Sequence, residues 1–169
     1  MKLIRCALML SSLLFFLSKL GAEPLKVGEA APVVAAAADD GSTINLGDVY
    51  KQNKYTLVWF YPKALTGGCT KQGCSLRDAS AELKQHGVAV IGVSTDPVEK
   101  QKEFKDANHF PFPLLADTDK KVIKAFGQGG MMAAREAYLI DQSGKVVYHD
   151  EKQTDKQAET VLAFLKSKS

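Results

Sequence analysis

Residues 55–93 read YTLVWFYPKALTGGCTKQGCSLRDASAELKQHGVAVIGV. The two ends of this stretch, residues 55–61 and 88–93, are rich in β-branched, aromatic and other apolar residues, which is typical of strands buried on both faces. Between them, apolar residues recur at helical spacing over about Thr70–His86, and Gly87 stands where a helix would end. A strand, a helix of this length and a second strand predict two parallel strands joined by a right-handed crossover.

The segments after the second strand predict further helices. Asp96 can cap a helix that has a proline in its first position and continues to about residue 107. Residues 110–113 read FPFP, which forces an irregular or extended segment. Beyond it, Asp117–Asp119 can cap a short helix that ends before Gly127.

Two predicted hairpins enclose this middle part: residues 32–46 around an Asp-Asp-Gly turn, and residues 137–148 around a Gln-Ser-Gly turn. A last amphipathic helix carries Val161, Leu162 and Leu165. This order of elements predicts an α/β domain, a three-layer sandwich with a mixed central sheet. It resembles a thioredoxin-like domain with an N-terminal β extension.

The N-terminus differs in composition from the rest of the chain. Two basic residues precede an uncharged, mostly apolar run from Cys6 to Leu17, and small residues follow up to Ala22. This run is too short to span a bilayer comfortably and has the pattern of a secretory signal peptide. We therefore expect a signal peptide over residues 1–22, a single exported, periplasmic domain over residues 23–169, and an uncleaved membrane anchor as the alternative.

The charge balance excludes several partners. The chain has 22 basic and 19 acidic residues, and the leader holds three of the basic ones and no acidic one, which leaves 19 of each in the remaining 147 residues. A neutral domain gives no electrostatic reason to bind nucleic acid or a membrane surface. The three histidines are scattered without ligand spacing, so we expect no metal and no cofactor.

Removal of the leader leaves two cysteines, Cys69 and Cys74. Two cysteines in an exported chain usually form a disulfide, and a purely structural bridge is one interpretation. However, Cys69 follows a buried strand and lies at the start of the predicted helix, where free N–H groups and the helix dipole favour a thiolate. Gly67 and Gly68 allow the backbone to approach a ligand closely. A buried, inert cysteine is disfavoured, because a polar, glycine-rich loop is a poor place to bury sulfur.

The run from Phe60 to Asp78 resembles the active-site segment of peroxiredoxins, and most closely that of the bacterioferritin-comigratory (Q-type) branch. Pro62, Thr66, Cys69 and Cys74 stand at the spacing of that family. The likeness extends from about residue 26 to the C-terminus. It is long and specific.

The resemblance implies a thiol-dependent peroxidase that reduces hydrogen peroxide and organic hydroperoxides. Cys69 would become a sulfenic acid, Cys74 would convert it to an intramolecular disulfide, and an external thioredoxin-like dithiol would restore both thiols. Thr66 would orient the thiolate and the peroxide, Arg135 would supply positive charge, and Pro62 would shield the pocket. We expect the protein to be a monomer or a weak dimer.

Taken from the residues alone, these three side chains have plainer interpretations. Arg135 has Glu136 and Asp141 available for a surface ion pair. Thr66 can cap the helix, a role compatible with catalysis, and Pro62 can simply terminate a strand.

Two features depart from the family pattern. Gly67 occupies a position where the branch usually has proline, and residues 127–134 form a shorter stretch than their counterpart. Within that stretch we expect Met131 and Met132 to pack as flexible filler rather than to cap the pocket.

Two other protein classes share the predicted fold. A thiol–disulfide oxidoreductase would have two residues between its cysteines and a proline before the third core strand, whereas this chain has four residues and no such proline. A copper-delivery protein would need a distal histidine in a loop, and His149 lies late in a predicted strand. Both classes are therefore less favoured than a peroxidase.

The spacing of the two cysteines also predicts motion. Within an α-helix their Cα atoms would be roughly 8–9 Å apart, whereas a disulfide tolerates about 7 Å at most. The segment from Cys69 to about Arg77 must therefore unwind before a bridge can form. Gly73 lowers the cost of that unwinding, because glycine stabilises a helix poorly.

Overall fold

Residues 23–151 and 155–168 are described by the computed structural model of the chain, so the predicted signal peptide lies outside them. None of the helices in these residues is long and apolar enough to cross a membrane. The elements in chain order are β1 (Ala35–Ala38), β2 (Thr43–Asn45), α1 (Leu46–Gln52), β3 (Tyr55–Phe60), α2 (Gly67–Asp78), α3 (Ser80–Gln85), β4 (Val88–Ser94), α4 (Val98–Asn108), β5 (Leu114–Ala116), α5 (Lys121–Ala125), β6 (Glu136–Asp141), β7 (Val146–Glu151) and α6 (Gln157–Lys166).

The strands form one seven-stranded mixed sheet in the order β2-β1-β5-β4-β3-β6-β7. Strands β3, β4 and β5 are parallel, and the remaining neighbours are antiparallel. The central pair runs in register from Tyr55 opposite Val88 to Phe60 opposite Val93. The predicted crossover unit, both hairpins and the α/β thioredoxin-like sandwich are therefore confirmed.

Strand β3 supplies apolar side chains to both faces of the sheet. Leu57 and Trp59 belong to a core that α2, α3, α4 and α6 cover. Val58 and Phe60 point to the opposite face and pack in a second core with α1 and α5. This is the three-layer arrangement that a run of apolar residues without polar alternation requires.

Several local expectations were wrong. The predicted helix over Thr70–His86 is two helices that break at Ala79, and the first of them begins earlier, at Gly67. Helix α1 and strand β5 were not predicted, because seven residues and three residues are too few to show a period. Strand β5 exists through its pairing with β4 rather than through its own composition.

Gly73 on α2 packs directly against the ring of Phe110. A Cβ atom at this position would lie 2.4 Å from Cζ of that ring, a distance that real side chains do not reach. The ring is itself stacked on Phe112 and lies edge-on to Trp59. The absence of a side chain at Gly73 therefore allows Phe110 to pack closely against α2, in addition to lowering the stability of the helix.

We predict that Gly73→Ala lowers the free energy of unfolding by about 1–3 kcal/mol, because the ring of Phe110 has to move out of a packed cluster. Gly67→Ala is the matched control, since it changes a glycine in the first turn of the same helix where a Cβ would meet nothing within 4 Å. The free energy of unfolding of this control variant should be unchanged or higher by up to about 1 kcal/mol. Urea unfolding followed by tryptophan fluorescence measures both values, and equal stability of the two variants would contradict the packing argument.

Candidate active site

Cys69 lies in the first turn of α2 and is completely buried. The first hydrogen bond of the helix runs from N–H of Thr70 to the carbonyl of Thr66 at 2.8 Å, so the N–H groups of residues 67–69 precede the helical ladder. The expectation that this sulfur would not be buried is wrong. The buried residues Tyr61 and Ala64 draw the loop inward, and the thiol enters the apolar core beneath it.

Arg135 reaches this sulfur from the position just before β6, the strand beside β3. It directly precedes β6, whose first residue Glu136 pairs with Phe60 at the end of β3. The guanidinium Nη2 lies 3.5 Å from Sγ of Cys69. A Cβ at Gly68 would lie 3.1 Å from the same nitrogen, so glycine there leaves room for the guanidinium. A charged group at this distance is what distinguishes Cys69 from an inert buried thiol.

The acidic neighbours of Arg135 have other partners. Glu136 accepts a hydrogen bond from the hydroxyl of Tyr138 at 2.5 Å and lies 3.1 Å from Nε2 of His149. These two hydrogen bonds hold the pKa of Glu136 below its ordinary value even though burial, the largest single influence, acts to raise it. Asp141 binds N–H groups of its own hairpin turn. The surface ion pair considered for Arg135 is therefore not what the structure contains.

Thr66 occupies the N-cap position of α2, but its side chain makes no hydrogen bond to the helix. Its hydroxyl donates to the carbonyl of Lys63 at 2.8 Å. With its proton committed, Oγ1 is left as an acceptor on the exposed loop that leads to Cys69. Pro62 lies half-buried at the start of the same loop. The backbone then turns through Leu65, which has a left-handed φ of 62°.

Asp96 does not cap α4, contrary to our expectation. The N-cap residue is Pro97, which has no side-chain bond to the helix. The carboxylate of Asp96 instead accepts from N–H of Ala64 at 2.7 Å and from the hydroxyl of Ser94 at 2.8 Å. The end of β4 thereby fixes the loop that leads to Cys69. The available signal was a serine and an aspartate at the carboxyl end of a predicted parallel strand, where functional side chains gather.

Gln72 is a second residue that sequence reasoning missed. It lies between the two cysteines on the buried side of α2 and is completely inaccessible. Its Oε1 accepts from Nη1 of Arg135 at 2.8 Å, and its Nε2 donates to Gln157 at 2.8 Å. A polar residue one helical turn beyond Cys69, on the same face, was the only sign of this role.

The stretch from residue 127 to residue 134 is closed by Gln128, whose Oε1 accepts from N–H of Ala134 at 2.7 Å. This bond anchors the backbone next to Arg135. Met131 and Met132 are 82% and 54% exposed, so the expectation that they pack as filler is wrong. They project from the loop because its ends, rather than its middle, are tied to the core.

The structure does not bring the two cysteines together. Both are free thiols, and Cys74 lies further along α2, partly buried, with Sγ 3.9 Å from Oδ1 of Asn108. Arg77 ties the same region to α4 by donating to the carbonyl of Asn108 at 2.9 Å, and it also pairs with Asp78. Cys74 is therefore held in the helix, away from Cys69.

Within residues 23–151 and 155–168, no group of three or more His, Cys, Asp or Glu side chains is close enough to hold a metal ion.

Comparison with known proteins gives a consistent set of relatives. The sequence profile of the AhpC/TSA family matches residues 27–149. The chain is 40% identical over 153 residues to peroxiredoxin Bcp of Escherichia coli strain K12, an alignment that covers 85% of this chain and 97% of that protein. It is 36% identical over 132 residues to peroxiredoxin Bcp of Bacillus subtilis strain 168, with 73% and 83% of the two chains covered.

Solved structures with similar folds carry the same family names as the relatives found by sequence. Peroxidoxin BcpB from Mycobacterium tuberculosis superposes with a TM-score of 0.79 at 30% identity and covers 85% of this chain and 97% of its own. The bacterioferritin comigratory protein of Xanthomonas campestris, solved in work on its alkyl peroxide reduction activity, has a TM-score of 0.75 at 26% identity, with 85% and 97% covered.

Proposed function

This chain is a peroxiredoxin of the AhpC/TSA family, in its bacterioferritin-comigratory (Q-type) branch, and we propose that it reduces peroxides with Cys69 as the attacking thiolate and Cys74 as the resolving thiol. One observation carries the proposal: a guanidinium nitrogen of Arg135 lies 3.5 Å from the sulfur of Cys69 at the start of α2. A positive charge lies beside a buried sulfur in the first turn of a helix, which is the environment of a reactive cysteine.

In the first step the thiolate of Cys69 attacks the distal oxygen of a peroxide. An S–O bond forms as the O–O bond breaks, so the sulfur is oxidised to a sulfenic acid. The departing oxygen takes both electrons of the broken bond and, from solvent, a proton equivalent to the one that Cys69 released on becoming a thiolate, and it leaves as water or an alcohol. Arg135 is placed to stabilise the negative charge that moves from sulfur to oxygen, and Oγ1 of Thr66 can accept a hydrogen bond from the O–H group of the peroxide. We propose that Pro62, half-buried at the start of the loop, shields the pocket.

In the second step Cys74 attacks the sulfur of Cys69. An S–S bond forms, the S–O bond breaks, and hydroxide leaves as water after it takes up the proton of the Cys74 thiol. Both residues lie in α2, where we place their Cα atoms about 8–9 Å apart from ideal helix geometry. The first turns of α2 must therefore unwind, and Cys74 must leave its contact with Asn108.

The third step restores the enzyme. A dithiol reductant of the thioredoxin type exchanges with the disulfide and is itself oxidised, which returns Cys69 and Cys74 to thiols. We propose hydrogen peroxide and organic hydroperoxides as substrates, supported by the alkyl peroxide reduction activity that is described for the Xanthomonas campestris relative. We further propose that the enzyme works as a monomer or a weak dimer.

We predict that Cys69→Ser abolishes peroxide consumption, because no nucleophile remains. Cys74→Ser should react once with peroxide and stop at the sulfenic acid, which a dimedone-type probe traps and mass spectrometry detects. Wild-type protein with a dithiol reductant is the control that turns over repeatedly. Equal residual turnover in the two variants would disprove these roles.

We predict that oxidation remodels α2. Amide hydrogen exchange of Lys71–Leu76 should be slow in the reduced protein and faster in the disulfide form, since the helix that protects these groups has unwound. The buried strand segment Leu57–Phe60 serves as the internal control and should stay protected in both forms. Unchanged exchange across α2 would mean that Cys69 pairs with some other thiol, or that the bridge forms without unwinding.

We also propose that the protein is exported to the periplasm and that the leader is removed near Ala22. The basic start, the apolar run from Cys6 to Leu17 and the small residues that follow support cleavage. Intact-mass measurement on protein from the native host should find a chain that lacks residues 1–22. A full-length chain extracted from membranes would instead identify an anchor.

A further inference from the structure

A chain of hydrogen bonds, buried beyond its first member, leads from the guanidinium of Arg135 to β7 and α6. Arg135 donates to Gln72 at 2.8 Å, Gln72 donates to Gln157 at 2.8 Å, and Gln157 donates to Asp150 at 2.7 Å. Asp150 also accepts from the hydroxyl of Thr160 at 2.6 Å. Both glutamines are completely buried, and Asp150 is nearly so.

The two ends of this chain fix the direction of every bond in it. The guanidinium of Arg135 can only donate, and the carboxylate of Asp150 can only accept. Each glutamine between them must therefore accept on the side of Arg135 and donate on the side of Asp150. No amide can be turned around without placing two donors or two acceptors against each other, so the position of Arg135 depends on residues of β7 and α6.

A second contact joins the same two helices. The hydroxyl of Ser75, next to Cys74, accepts from N–H of Ala158 in the first turn of α6 at 3.1 Å. Helix α6 is thus fastened to α2 at Gln72 and at Ser75, one residue on either side of Gly73-Cys74. These are the turns that have to unwind before Cys74 can reach Cys69.

We propose that Gln157 and Asp150 are positioning residues that accelerate the oxidation of Cys69 and slow the formation of the disulfide. The inference rests on the proposed mechanism, in which Cys69 and Cys74 react in turn. In the helical form the chain aims Arg135 at the sulfur. When α2 unwinds, Gln72 leaves, and the guanidinium of Arg135 and the completely buried amide of Gln157 lose their partner, which makes the unwound form costly.

The test is the variant Gln157→Met, which keeps the length of the side chain and removes both hydrogen bonds. Trp59, the single tryptophan of the chain, belongs to the same core cluster as Cys69 and reports on the site by fluorescence. Reduced protein is mixed rapidly with hydrogen peroxide. A phase that depends on peroxide concentration measures oxidation, and a phase independent of it measures disulfide formation.

The proposal expects the two rate constants to move in opposite directions. Oxidation should slow by about five- to tenfold, because Arg135 is less well held, and disulfide formation should accelerate by a similar factor, on the scale of one buried hydrogen bond. Fewer molecules should therefore reach the sulfinic acid at high peroxide concentration. A general loss of stability does not produce this divergence.

Val161→Ala is the matched control, because it removes apolar packing from the buried face of the same helix without removing a hydrogen bond. Both of its rate constants should stay within about twofold of wild type. If Gln157→Met does not fold, Thr160→Val takes its place. That change keeps the volume, removes the outermost donor to Asp150, and should shift both rates in the same senses by a smaller factor.

A rescue experiment separates hydrogen-bond direction from packing. Gln157→Glu places a second carboxylate against Asp150 and should disturb both rates at least as much as methionine does. The double variant Gln157→Glu, Asp150→Asn reverses the direction of the hydrogen bond between residues 157 and 150 and keeps one buried carboxylate. The carboxylate at position 157 can then accept hydrogen bonds from Gln72 and from the amide at position 150. It should bring both rate constants back to within about threefold of wild type.

The outcomes are distinct. A wild-type protein without a second phase, or a second phase that survives in Cys74→Ser, would remove the proposed disulfide mechanism and this inference with it. Two phases in wild type, together with rates in Gln157→Met that are unchanged or that move in the same direction, would overturn the inference alone. Failure of the double variant to recover would also overturn it.

Discussion

The contact between the guanidinium of Arg135 and the sulfur of Cys69 is the interaction that the surrounding structure holds in place. A half-buried guanidinium lies against a completely buried thiol, and other polar groups hold the guanidinium in this position. The support comes from polar groups that are themselves buried: Gln72 for the side chain of Arg135, and Gln128 for the backbone beside it. A buried polar group that lacks a hydrogen-bond partner lowers the free energy of unfolding, so the folded structure depends on each of these bonds.

The loop that carries the sulfur into the core needs its own support. Its conformation includes a left-handed leucine and two half-buried or exposed residues, Pro62 and Thr66, so it is not held by packing alone. The carboxylate of Asp96 holds it at Ala64 from the end of β4. The sheet thus fixes the loop on one side and Arg135 on the other, through two strands that flank β3.

Much of the fold was predictable from the sequence because its signals are local. The signals for the apolar strands at residues 55–60 and 88–94, for helical structure between them and for the turn glycines each lie within a few positions, and so does the signal that places Cys69 at a helix start; the break at Ala79 was not predicted. The supporting contacts are not local. Gln72 and Gln157 are 85 positions apart, and Ala64 and Asp96 are 32 apart. The residues next to a buried glutamine in the sequence do not predict a hydrogen-bond partner that lies so far along the chain. The burial of Cys69 was misjudged for the same reason, since a polar loop sequence does not reveal that two of its residues turn inward.

The late position of Arg135 in the chain has a consequence for biosynthesis. The residue follows the cysteine it contacts by 66 positions, and β6 must pair with β3 before the two can meet. A chain that has folded only as far as β5 therefore carries both cysteines but no guanidinium beside them. Contacts between distant segments form last in folding, because the loop between them must close first. The thiol of Cys69 thus acquires its neighbouring guanidinium only when the polypeptide is nearly complete. High reactivity of this thiol is therefore a property of the fully folded chain.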